Sequence, residues 1–578
     1  MRVLVAFLLS WAAAMPARQG LEVSFGDAGL SGLRYGGHDF LKSGAPEGMT
    51  AFLETLGKDK DGYRSWSFEK SEGAPSEARF DKAKRLLVQT YAWGTLSVAY
   101  APAADRLTMD VTLAVKNGRP LADFGVSLLR LGFPAKPSGV KDNGAMAAGF
   151  DQLAVVRAEC EKGVVLACYE TIDPPLRLGF PRLEGPQKSE AALRLQGGVP
   201  AEEYGATLWH PHGLPRVEAG KSLTLRVSLR FGPPGADAEA MASDVWKAFA
   251  DRWKWSNDWP DRRPIGMLMR SSNYQGHKSD KNPRGWFWDA KIDAITPAGK
   301  AAFKEAALKD AERCVQALKA VNAQGFVFWD TEGSENPHPI TYIGDPRLAK
   351  TLAPEFDEIA DAYFKVLRDA GLRTGVCIRP TQVYFDEAKK KWDHGTGSDG
   401  GPGRGDHYPK SRPKDLPWWR YYPVVERMAD KIDFCKKRWG CTLYYIDTNG
   451  VFRQTGEDQK FEWALLSANM LRRLKERHPD VLLIPELVQG DGTYHTAYWA
   501  YAAPYFELDL GGVASPKHVR KLWPKAFSII NVTDGPFDQR RAELLEGVRQ
   551  GDILMVHGWW QPKVNAQVRE LYAEAGRK

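Results

Sequence analysis

The chain has 578 residues, 43% of them hydrophobic and twenty of them tryptophan, with 79 lysines and arginines against 72 aspartates and glutamates. The formal charge of +7 is spread along the chain rather than gathered in a basic run, which argues against nucleic-acid binding. The apolar content excludes general disorder, and the length requires two or three domains with substantial cores.

In chain order, MRVLVAFLLSWAAAMPARQG joins one early arginine, a short apolar run and small residues suited to cleavage. Residues 1–17 are therefore expected to be a secretory signal peptide, and the protein to be secreted or periplasmic. The run is too short to anchor in a membrane, and no later segment is apolar enough for a membrane span. Residues 18–235 read as β: RLLVQTYAWGTLSVAYAP, DRLTMDVTLAVKN and KSLTLRVSLRFGP alternate apolar and polar residues and end in turn chemistry. FGPPGAD interrupts that pattern, and residues 236–260 begin with a connecting helix over DAEAMASDVWKAFADRWKW.

From 261 to 578 strands alternate with helices. The apolar strands are IGMLMR (265–270), GFVFWD (325–330), RTGVCIRP (373–380), TLYYID (442–447), VLLIPE (481–486), PYFELDL (504–510), FSIINVTD (527–534) and DILMVHG (552–558). Helical periodicity lies between them, in AAFKEAALKDAERCVQALKAVNA, FDEIADAYFKVLRDAG and WALLSANMLRRLKERHP. Eight such units predict a (β/α)8 TIM barrel behind an N-terminal antiparallel β-sandwich, a multidomain fold. Long loops follow the first and third strands. Their tryptophans, Trp286, Trp288, Trp392 and Trp418, suit the walls of a cleft, and the glycine-rich tract 395–405 suits either a lid or a surface excursion.

Cysteine spacing offers no zinc signature. Cys160 with Cys168, and Cys435 with Cys441, are candidate disulfides across turns, whereas Cys314 and Cys377 read as free buried thiols. WHPHG (209–213) has an H-x-H spacing, but it lies in the β region and reads as a turn. No cofactor motif and no metal site are expected.

In a TIM barrel the chemistry sits at the C-terminal ends of the strands. Asp447 and Glu486 end the adjacent fourth and fifth strands. With strands about 4.8 Å apart, their carboxyl groups are expected roughly 5–6 Å apart, the separation of a nucleophile and a general acid/base in retaining glycoside hydrolysis. The shorter Asp447 suits the nucleophile and the longer Glu486 the acid/base, which must be protonated at the working pH. Asp330, Glu332 and Trp329 in FVFWDTEG, with Trp288, Asp534 and His557, are candidate substrate contacts. Arg379 is a candidate partner for a carboxylate or for substrate. Asp509, on the sixth strand with Glu507, is a substrate contact or an alternative acid.

A β-sandwich leading into a barrel with YYIDTNG at strand four resembles the α-glycosidase superfamilies. These are the α-galactosidase, α-glucosidase and α-amylase-like groups, together with the endo-α-N-acetylgalactosaminidases. The resemblance implies that Asp447 is the nucleophile. By the α-amylase-like and endo-acting patterns Glu486 is the acid/base; by the α-galactosidase and α-glucosidase patterns the acid comes from the sixth strand, at Asp509. The α-amylase pattern is not matched throughout, since Tyr445 replaces its arginine and Thr533-Asp534 its His-Asp. The expected activity is a retaining glycoside hydrolase on α-linked sugars, of α-galactoside or α-N-acetylgalactosaminide type. Its partner would be an oligosaccharide, polysaccharide or glycoconjugate. The alternatives are a lyase or isomerase on the same barrel, or a non-catalytic carbohydrate-binding protein.

Overall fold

The structure is a computed structural model. It describes every residue except 1–19, 59–63, 117, 140–154, 174–175, 181, 197–216, 273, 334–343, 380–383, 387–390, 394–423, 448–449, 456–459, 466–467, 487–495, 508–516, 533–536, 557–561 and 578. The expected signal peptide, the WHPHG turn, the glycine-rich tract and Trp418 lie outside the described residues.

The N-terminal part is antiparallel. One sheet has seven strands, with Ser222–Gly232 and Arg106–Val115 paired at its centre; another has six, built around Leu121–Gly132. In Arg106–Val115 every second residue is buried, which is what one packed face of a sheet demands. The connection to the barrel is helical but broken in two, Ala238–Met241 and Ser243–Arg252, with the Asp237 carboxylate capping the first. Its second half ties the two parts together. Asp244 pairs with the buried Arg230 of the β-domain, Arg252 pairs with Asp173, and Phe249 packs 6.0 Å from Trp523.

All eight predicted barrel strands are present, each two to five residues shorter than its apolar run. They are Ile265–Leu268, Gly325–Phe328, Gly375–Ile378, Leu443–Ile446, Leu482–Pro485, Tyr505–Glu507, Ile529–Asn531 and Ile553–Val556. Sheet order follows the chain around a ring, all parallel, and a bridge between Glu486 and Tyr505 joins fifth to sixth strand and closes it. Strands buried on both faces need continuous apolar runs, which is why those runs were legible.

Side chains at alternate positions fill the barrel interior, among them Met267, Val327, Cys377, Tyr445, Ile484 and Tyr505. Trp259 caps the lower end: its indole N–H donates to Gln324 Oε1 at 2.9 Å and the Arg373 guanidinium lies 4.7 Å from its ring.

Helices Lys300–Ala320 and Pro354–Asp369 occupy the expected segments, the latter stopping before Gly371 at φ +84°. WALLSANMLRRLKERHP departs from expectation. Its helix runs only over Ala468–Arg477, and Lys460–Leu465 is instead a strand paired with Gly450–Thr455. Its helical spacing did not distinguish the hairpin, since Trp463, Ala464 and Leu465 serve either element. All six cysteines are free thiols, so neither candidate disulfide forms; Cys314 and Cys377 are buried, as read. Among the described residues no helix is long and apolar enough to cross a membrane.

Candidate active site

Register places the site. Cys377 pairs with Tyr445 and Tyr445 with Ile484, so the next inward positions on these three neighbouring strands, Arg379, Asp447 and Glu486, share one layer just past the strand ends. Backbone bonds fix that level: the Asp447 N–H donates to Ile378 O at 3.0 Å and the Glu486 N–H to Ile446 O at 3.0 Å. Nε and Nη2 of Arg379 both reach Oδ2 of Asp447. Asp447 is only 6% exposed, whereas Glu486 is half-buried.

Beneath this layer lies an aromatic floor. Trp329 meets Tyr445 at a centroid distance of 4.5 Å, and Tyr445 meets Tyr505 edge-on at 5.0 Å. Burial, and then the negative charges of Glu486 and Asp447 nearby, hold the Tyr445 phenol well above its ordinary range. It therefore stays a neutral hydroxyl below both carboxylates. In the sequence Tyr445 stood out only as the residue in place of an arginine, and Tyr505 did not stand out, although Tyr445 stands two residues before Asp447, the spacing that puts both on one face.

Asp330 and Glu332 do not belong to this layer, contrary to the expectation that they receive sugar hydroxyls. The inward side chains of the second strand are Val327 and Trp329, so Asp330 has the opposite parity. Its carboxylate accepts the backbone N–H groups of Arg270 at 3.1 Å and Ser271 at 2.6 Å, clamping the start of the first loop. Asp330→Ala leaves those buried donors unpaired and is expected to cost roughly 1–3 kcal/mol of stability, read as a fall in Tm.

Glu332 is wholly buried beside Asp345 and Lys431, with Thr331 Oγ1 donating to it at 3.0 Å. Burial first, and then the Asp345 charge, push its carboxyl up to about 8. An unfolded chain releases this proton near the ordinary carboxylate value, whereas the folded chain keeps it until about pH 8. Folding therefore binds a proton in between, and this residue's contribution to stability declines as pH rises from about 5 to 8. Glu332→Gln has no such proton. Its Tm should gain on the wild type as pH rises through that window, and a constant offset would refute the burial account.

Of the loop tryptophans, Trp286 is core rather than cleft wall: it is fully buried, stacks 4.6 Å from Phe356 and donates to Glu355 Oε1 at 2.7 Å. Trp288 is half-buried, donates to Ser271 O at 3.1 Å and lies 4.6 Å from the Arg270 guanidinium. Phe287 and Trp288 both have positive φ, 57° and 59°, so this turn holds two bulky residues in a costly conformation. Asp509, Asp534, His557 and the Trp392 side chain lie outside the described residues.

No protein-family model matches the sequence, and no curated protein does. Among solved structures, an α-N-acetylgalactosaminidase from Bifidobacterium bifidum aligns at 10% identity and a TM-score of 0.44, over 97% of this chain and 92% of that one. An α-galactosidase from Geobacillus stearothermophilus, solved with raffinose, aligns at 11% identity and 0.41, over 97% and 76%. An α-galactosidase from Thermus thermophilus, solved with stachyose, aligns at 13% identity and 0.37, over 81% and 98%.

Proposed function

We propose that this protein is an exported glycoside hydrolase acting on α-linked sugars with retention, with Asp447 as nucleophile and Glu486 as acid/base. The observation that carries this is the shared layer: two carboxylates on neighbouring strands at the catalytic face of a closed barrel, one gripped by Arg379, above an aromatic floor. Strand spacing of about 4.8 Å leaves the two carboxyl groups on the order of 5–6 Å apart, too close to seat a water as inverting enzymes do. Arg379 offsets the negative charge of Asp447 and fixes the oxygen it holds. Asp447 then attacks the anomeric carbon while Glu486 gives its proton to the departing oxygen. The Glu486 carboxylate afterwards takes a proton from the water that opens the glycosyl ester. Trp329 and Tyr445 supply apolar surface beneath the ring and keep bulk water from below.

The α-linkage, and the choice of galactoside or N-acetylgalactosaminide, rest on the resemblance carried by YYIDTNG. The test is hydrolysis of a panel of α- and β-linked aryl glycosides of galactose, N-acetylgalactosamine and glucose, with the product anomer read by NMR at early times. Release of an α-configured sugar from an α-glycoside is expected. Release from β-glycosides alone, or an inverted first product, would overturn the reading.

A further inference from the structure

We propose that Lys431 is a positioning residue for the nucleophile, acting through the backbone of Arg379; this rests on the reading of Asp447 given above. Arg379 stands one residue past the third strand, where the ladder ends with the Asp447 N–H bond to Ile378 O. Beyond that point its backbone is held from behind. The Arg379 N–H donates to Gly344 O at 2.9 Å, and Lys431 Nζ donates to Arg379 O at 2.7 Å and to Gly344 O at 3.0 Å. One ammonium thus fastens both carbonyls of a clasp around the residue that grips Asp447.

The clasp is built to close tolerance. Gly344 has φ +68°, and a Cβ there would lie 2.5 Å from Arg379 N and 2.6 Å from its Cβ, so only glycine permits the approach. Asp345 pairs with Lys431 at 3.7 Å and is itself held through both oxygens by Arg347, at 2.8 and 2.7 Å. Lys431 is 1% exposed and lies on Val424–Trp439, a helix that buries Met428, Ile432 and Cys435 around it. An apolar residue there would pack against the barrel without the cost of burying a charge. The lysine is explained by what its ammonium reaches, the two backbone carbonyls of Arg379 and Gly344 with the Asp345 carboxylate as its counter-charge.

Activity and structure give separate tests. Lys431→Met is expected to lower kcat by roughly 10- to 100-fold with KM changed less than threefold, because a displaced guanidinium misplaces a group needed in the transition state. In an Arg379→Ala background the same change should cost little more, since both substitutions break one chain of contacts. Effects that multiply independently would overturn the proposal. Asp345→Asn, which keeps the volume while loosening the ammonium, should give a smaller loss of the same kind and serves if Lys431→Met does not fold. The crystal structure of the Lys431→Met or Asp345→Asn protein needs no turnover. It should show Arg379 withdrawn from Asp447, and an unchanged contact would sink the proposal. A wild type that cleaves no glycoside would sink the hydrolase reading alone, leaving that contact to decide on Lys431.

Discussion

Asp447→Asn is expected to lower kcat by on the order of 10⁴ or more while leaving the affinity for substrate within about tenfold. Asparagine keeps the shape of the side chain and its backbone bond to Ile378, so the barrel mouth should hold its form. It cannot supply the carboxylate that bonds to the anomeric carbon, and it removes the counter-charge from Arg379. A neutral sugar binds through contacts that need neither of these. The measurement is kcat on the best aryl glycoside, with the Kd of the corresponding free sugar by calorimetry in both proteins. As a positive control, Asp447→Gly with added azide should regain turnover and form a glycosyl azide of inverted configuration, because azide enters from the vacated face. An Asp447→Asn protein with wild-type kcat would remove the aspartate from the mechanism.

Glu486→Gln should separate substrates by their leaving groups. The acid contributes about 10²–10⁴ when the departing oxygen is poor and needs a proton, and far less when an activated phenol leaves unaided. A loss concentrated on alkyl or sugar leaving groups is therefore expected, with a modest loss on nitrophenyl glycosides in the bond-breaking step. Equal losses on both would assign the proton donor elsewhere, and Asp509→Asn would be the next protein to make. Glu486 is half-buried whereas Asp447 is nearly covered, an asymmetry that suits a donor reaching an outer oxygen and a nucleophile fixed in the floor.

The barrel was legible because its strands are buried on both faces and must read as short apolar runs, and because loop chemistry interrupts them at each end. The common level of Asp447 and Glu486 was legible for the same reason, since adjacent parallel strands of similar length end together. Asp330 was misplaced because a strand end shows an acid without showing its parity. Val327 and Trp329 take the inward positions, and Asp330 turns to the backbone of Arg270 and Ser271. Trp286 was misplaced because a loop tryptophan carries no mark of burial until Phe356 and Glu355 arrive from a distant helix.

Lys431 shows where local pattern stops. Its spacing from Met428 and Cys435 puts it on the buried face of its helix, yet nothing local says what an ammonium would meet there. The amino-acid sequence by itself determined the order of domains, the eight strands and the level at which two carboxylates emerge, since these follow from periodicity and chain order. Only the tertiary structure decided which acids face the barrel mouth, that Arg379 holds Asp447, and that Gly344 and Lys431 hold Arg379. Those contacts join residues 35 to 87 positions apart in the chain, and their energies depend on burial and distance that no local pattern encodes.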